Sequence, residues 1–179
     1  VTMLDYDDYV STNYLEELMN TADKETVSLS NCQAFYDENH QPVKSSLAQE
    51  FAQKRQNEQY TLMELRHNMS GPCMKLWKKE MIGDRRFDLR FKNGEDSLFI
   101  MLISNKMHKI RLTDSSAIYY RRIRKGSANF HKRSYRERSR NMGALCKAYS
   151  KIYFSNPREY SFAFYITRIL GAIKSIVII

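Results

Sequence analysis

The stretch from Val1 to Tyr36 constrains the fold more than any other. Its first residues, VTML, break at Asp5 as the end of a buried strand would, and the acidic turn DYDD follows. STNYLEELMNTA then places Tyr14, Leu15, Leu18 and Met19 at helical spacing, with Ser11 or Thr12 as the expected N-cap and Glu16 in the first turns. ETVSLSNCQAFY alternates as a strand does, with Val27, Leu29 and Asn31 on one face. A strand end, an acidic loop, a helix and a strand make one turn of an α/β sheet. In such sheets ligands sit beyond the carboxyl ends of strands, where these aspartates fall.

The crowding of Asp5, Asp7 and Asp8 is unusual in a chain of 29 basic and 20 acidic residues, net charge +9. Carboxylates a few Å apart raise each other's pKa unless a cation or hydrogen bonds offset the repulsion. Residues 1–60 hold 11 acids and 4 bases, and residues 61–179 hold 9 acids and 25 bases. Residues 106–151 alone carry 14 Lys or Arg against Asp114 and Glu137, a local basic field suited to an anionic partner or to a solvated helix face. An Asp-x-Asp turn at a strand end suits a hard divalent ion, Mg²⁺ or Mn²⁺, which takes one or two carboxylates and leaves positions for water and phosphate. Helix capping is the plainer use of such a turn.

The length of 179 residues fits one domain or the larger part of a bigger one, and 12 Tyr and 9 Phe with few Gly or Pro indicate a globular fold. Cys32, Cys73 and Cys146 are too far apart for a disulfide framework or a zinc site, which points to reduced, packed thiols and a cytoplasmic setting. The opening residues lack the basic and apolar runs of a secretion signal and hint at a fragment. Residues 37–59 read as a polar excursion with one weak helix, and YTLMELRHN as a short helical piece. SGPCMKLWKKEMI carries the only tryptophan, Trp77. Gly94 punctuates a turn, Glu95 and Asp96 open a helix, and Leu98, Phe99, Met101, Leu102 and Ile103 bury it. Residues 108–129 read as two short strands, or a strand and an edge, ending at Gly126 and Ser127.

Two amphipathic helices are expected to close the chain. In the first, Met142, Leu145, Cys146, Tyr149, Ile152 and Tyr153 form the apolar stripe, away from Arg136, Arg140, Lys147 and Lys151. In the second, Phe162, Ile166, Ile169, Ile173 and Ile176 form it, with Arg168 and Lys174 off it. Those two charges argue against a spanning helix. The basic segment and the apolar end GAIKSIVII fit either packing on the sheet or contact with an anionic membrane surface, a peripheral placement.

Taken in order, LDYDDYVSTNYLEEL, GPCMKLWKKEMI, FDLRFKNGEDSLFIMLI and IYYRRIRKGSAN resemble the family-2 inverting glycosyltransferases of GT-A fold. The likeness covers residues 2 to 130 and the rest loosely. It implies an α/β, Rossmann-like mixed sheet flanked by helices and incomplete at its N-terminal side, the nucleotide-binding half of the family being absent. Residues 1–130 would be a partial catalytic domain and 131–179 a C-terminal helical segment. An unpaired sheet edge would favour a homodimer.

By this resemblance Asp7, with Asp5, holds a divalent metal and through it the diphosphate of a nucleotide-sugar donor. Asp8 is a second candidate. Asp96 is the general base beside Glu95, and a saccharide or lipid-linked acceptor is used in surface polysaccharide or glycolipid assembly. Lys75, Trp77 and Lys79 match the segment lining the sugar site, with Met74 where the family commonly has Asn. Arg122 and Arg124 share a strand face from which to reach the diphosphate, opposite Arg121, and His131 is a remote candidate for a closing loop.

A non-catalytic relative of the family and a basic scaffold or nucleic-acid module are the competing readings. The basic stretch interleaves with Tyr119, Tyr120, Phe130 and Tyr135, as in single-strand binders. That reading leaves the acidic turn unexplained and matches no known motif, so no nucleic-acid partner is expected.

Overall fold

The computed structural model describes residues 1–23, 25–55, 58–124 and 134–177, the last without its side chain. The chain is α/β. Its strands are β1 (Tyr9–Val10), β2 (Thr26–Leu29), β3 (Asn31–Tyr36), β4 (Pro42–Val43), β5 (Gln59–Tyr60), β6 (Lys75–Leu76), β7 (Lys109–Leu112) and β8 (Ile118–Ile123). Its helices are α1 (Tyr14–Thr21), α2 (Ser46–Ala52), α3 (Lys79–Ile82), α4 (Glu95–Ile103), α5 (Tyr135–Ser155) and α6 (Phe162–Val177).

The strands form two mixed sheets, ordered β5-β7-β2-β6 and β1-β8-β3-β4. Each has a parallel central pair flanked by antiparallel neighbours. The two centres are continuous. Only Ser30 separates β2 from β3, and residues 113–117 separate β7 from β8. Where the pair passes between sheets, Thr113 N–H donates to Leu29 O at 3.0 Å and Asn31 N–H to Ala117 O at 3.1 Å. Ser30 turns to the third segment at the junction, donating from its N–H to Met74 O at 2.9 Å. β2 is buried at every residue, as expected for a strand covered on both faces.

The acidic turn makes the same passage. Thr2 bridges Leu76 beside the first sheet, and β1 joins the second by pairing Tyr9 with Tyr120. Asp5 to Asp8 therefore lie where the two sheets part.

α4 is buried on nearly all sides, with Leu98, Phe99, Ile100, Met101 and Ile103 in the core. Gly94 precedes it at φ 85°, a left-handed turn that glycine adopts without a Cβ clash, and Glu95 and Asp96 complement the dipole of its first turn. α5 starts at Ser134, whose hydroxyl accepts from Glu137 N–H at 3.2 Å. Its inward residues Leu145 and Tyr149 are those of the expected stripe, and α5 packs on α4 and α6.

Four expectations need correction. Residues 61–67 are turns leading to a 3₁₀ helix at Asn68–Ser70, with no α-helix. α1 begins one residue after Asn13, not at a Ser11 or Thr12 cap: the Ser11 hydroxyl donates to Asn13 Oδ1 and accepts from Ile118 N–H instead. The inward face of α6 is centred on Phe164, Tyr165 and Ala172; Ile166 and Ile169 of the expected stripe pack against the core beside them, while Phe162 and Ile173 are 59% and 48% exposed. Arg168, expected off the packed face, turns toward the protein. Gly126, Ser127, Phe130, His131 and the expected boundary at 130 lie outside the described residues. Among the described residues no helix is long and apolar enough to cross a membrane.

Candidate active site

At the junction of the sheets lies a cavity of about 640 Å³ whose wall includes Asp5, Asp7, Asp8, Lys75, Asp96 and Tyr119. The early aspartates and the acidic start of α4, far apart in sequence, thus face one space. Each element contributes by its termination: the acidic turn by crossing between sheets, α4 by its first turn, β8 by its alternation.

The three aspartates are held differently. Asp8 is fixed by β8, accepting from the Tyr119 hydroxyl at 2.7 Å and from Arg122 N–H at 2.8 Å. Asp7 pairs with the Arg124 guanidinium at 2.6 Å, which also donates to the Tyr6 hydroxyl at 2.8 Å. Asp5 has no such cation. Burial pushes its carboxyl up, the Asp8 charge adds to this, and the Cys73 thiol offsets part of it by donating a hydrogen bond.

Asp96 opens to the cavity, yet protein atoms crowd it enough that desolvation pushes its carboxyl up to about 6, with Glu95 and then Asp5 adding repulsion. Glu95 is half-buried, and its Oε2 is buried with no hydrogen-bond partner among the described residues. Below them Lys75 is 1% exposed and donates from Nζ to Gly71 O and Cys73 O at 2.8 and 2.9 Å. Burial pushes its ammonium down to about 7, against the pull of Cys73, Cys32 and Asp96. A buried cation beneath a carboxylate cluster lowers the cost of holding those charges together.

Of the residues expected to bind substrate, Lys75 and Arg122 line the cavity and Trp77 does not. Trp77 is 1% exposed in the core, its indole N–H donating to Pro72 O at 2.8 Å, so it offers no face for a sugar to stack on. Lys79 is exposed on α3. The Arg122 side chain pairs with Asp37 at 3.5 Å, while Arg124 lies against the acidic turn outside the cavity wall. Arg121, placed on the opposite face by sequence, lines the cavity too. Tyr119 was not read as part of a site. Its signal was the alternation of IYYRRI, which carries Tyr119, Arg121 and Ile123 to one face.

The oxygen donors of Asp5 and Asp7 suit a hard divalent ion, and Asp5, answered only by the Cys73 thiol and the more distant Arg121 charge, is the least compensated of the three aspartates. Among the described residues no three His, Cys, Asp or Glu side chains converge to hold one, so the protein would supply a minority of its coordination. Neither a model of a known protein family nor a curated protein matches the chain.

Proposed function

We propose that the chain carries the catalytic site of an inverting glycosyltransferase of GT-A type, moving a sugar from a nucleotide-diphosphate donor to an acceptor hydroxyl. The observation that carries this reading is the shared cavity. Carboxylates that resemble the donor-binding turn and the general base of the family line one space, although 88 residues separate Asp8 from Asp96.

Asp96, with its carboxyl near 6, is ionised at neutral pH yet basic enough to accept a proton. It takes the proton of the acceptor hydroxyl as that oxygen bonds to the anomeric carbon. The bond from that carbon to the diphosphate breaks, its electron pair leaves with the nucleoside diphosphate, and the configuration inverts. Asp5 and Asp7 would hold a divalent ion, which supplies positive charge for the diphosphate. Arg124, already beside Asp7, and Arg121 bring further positive charge to the same end. Asp8 positions rather than binds, since Tyr119 and the β8 backbone occupy both its oxygens. Met74 adds support: it sits at φ 69°, a left-handed conformation that Asn tolerates better than other L-residues, and Asn is what the family commonly has there.

The test is a panel of nucleotide sugars with manganese present or chelated, reading thermal shift and donor hydrolysis. One donor should raise the melting temperature only with metal and be slowly hydrolysed. No shift and no hydrolysis with any donor would sink the reading.

A further inference from the structure

A second cavity of about 590 Å³ lies behind the first, and His67 and Ser70 line both. Ser97, next to Asp96 in the first turn of α4, lines the second. Asp96 stands at the partition. A Cβ on Gly71 would lie 3.8 Å from Asp96 Oδ2, so the carboxylate rests in a notch between the Ser70–Gly71 backbone and the start of α4. The width of that notch decides where the carboxylate sits, and its two sides come from segments far apart in sequence.

Both sides are tied to one side chain of α6. Arg168 donates to Arg66 O at 2.9 Å and to Met69 O and Ser70 Oγ at 3.4 Å on one side, and to Ser97 Oγ at 3.4 Å on the other. The Phe164 ring, its centre 4.5 Å from the guanidinium carbon, supports the fork from within the same helix. From α5 the Tyr149 hydroxyl donates to Ser97 Oγ at 2.9 Å, so both closing helices hold the first turn of α4. Stability alone is a poor reason for an arginine here. Burial pulls its pKa down, the mark of a desolvated charge, and among the described residues no carboxylate pairs with it. A buried cation met only by neutral acceptors costs more than an apolar side chain of its volume would. What only a fork of several donors can do is hold carbonyls and hydroxyls of two separate segments in one register.

We infer that Arg168 is a positioning residue for Asp96: it sets the notch between the Ser70–Gly71 backbone and α4, and so aims the carboxylate at the attacking hydroxyl. The inference rests on the transferase reading for calling Asp96 the base. Arg168 touches no reacting atom and acts through the two walls it joins. α6 then belongs to the catalytic unit.

The test is a double-mutant cycle on the full chain, read by hydrolysis of the nucleotide-sugar panel with manganese, where water takes the place of the acceptor. Arg168→Lys keeps the charge and loses the fork. It should lower kcat by about 10- to 100-fold, as misplacing a reacting group by about 1 Å does, with the metal-dependent thermal shift kept. In the Asp96→Asn background the same change should cost less than about twofold, because nothing is left to position. Lys174→Met, on the same helix and cavity but outside these contacts, should leave the rate unchanged. If Arg168→Lys does not fold, Ser97→Ala, which removes one side of the link, takes its place in the cycle. A second readout needs no donor. Amide exchange at Leu98, whose N–H donates to Gly94 O, and at Met69, whose N–H donates to Leu65 O, should quicken about tenfold in the variant while β2 is unchanged. Equal losses in the two backgrounds, an unchanged kcat, or unchanged exchange at both amides overturns the inference. Quickened exchange in a chain that hydrolyses no donor would instead overturn the transferase reading, and with it the role of Asp96, while the clamp itself stands.

Discussion

The two cavities that meet at the first turn of α4 differ in sign and in how their charges are settled. On one side two of the carboxylates are answered from within, Asp7 by Arg124 and Asp8 by Tyr119 and the Arg122 N–H, while Asp5 and Asp96 repel each other across the cavity. On the other, Arg66, Arg168 and Lys174 face a wall with no carboxylate among the described residues. One helix start serves both because successive residues of a helix point about 100° apart, so Asp96 and Ser97 face different spaces. The difference teaches that charge is settled by charge on the acidic side and only by neutral groups on the other, where Arg168 meets the carbonyls of Arg66 and Met69 and the hydroxyls of Ser70 and Ser97.

The largest expected effect is on the acidic side. Asp96→Asn should lower the transfer rate by about 10² to 10⁴ while the donor-induced thermal shift persists, since one placed base is worth that much. A variant that keeps its rate would move the chemistry elsewhere.

Next comes the glycine turn that precedes α4 and packs against α5. A Cβ on Gly94 would sit 2.5 Å from Leu145 Cδ1, at a φ of 85° that L-residues resist. Gly94→Ala should cost about 1–3 kcal/mol in urea unfolding. An unchanged midpoint would show that Leu145 and α5 shift freely to make room.

Tyr119→Phe removes the hydroxyl that donates to Asp8 and accepts from Asp5 N–H. It should cost about 1–2 kcal/mol of stability by the same measurement. No loss would mean that the acidic turn is not held by β8.

The smallest effect sharpens the electrostatics. Asp96 is ionised above about pH 6 and protonated below it, so kcat/KM should climb through that pH and level off above it. Glu95 raises the carboxyl of Asp96, so Glu95→Gln should move the midpoint down by a fraction of a unit, read from the pH–rate profile. An upward shift would contradict the sign of the coupling.

Legibility in the sequence follows from how many physical demands a residue answers. Gly94, Glu95 and Asp96 announce a helix start, because a left-handed turn, two acids at the dipole and an apolar run all agree. β7 and β8 were legible as extended chain from their alternation, one of the two readings that segment allowed. α6 was legible only in part: Ile166 and Ile169 of the expected stripe pack against the core, while Phe162 and Ile173 do not. The choice of face was made by a partner invisible in that segment: the carbonyls of Arg66 and Met69, which draw Arg168 inward. Trp77 fell to the core because its indole N–H found Pro72 O nearby. The acidic turn was legible as a cluster in need of positive charge, and it lines one cavity with Asp96, but the cation beside Asp7 comes from Arg124, over a hundred residues away.

The passage of β2 and β7 into β3 and β8 at a common level has a mechanical consequence. Because the two strands run parallel and change sheet together, a pull along either loads every rung of the ladder in shear at once, whereas a hairpin would yield rung by rung. Ser30 and residues 113–117 then act as a stiff spine rather than a hinge. The acidic turn, tied to β8 through Tyr119 and the Arg122 N–H, shares that stiffness.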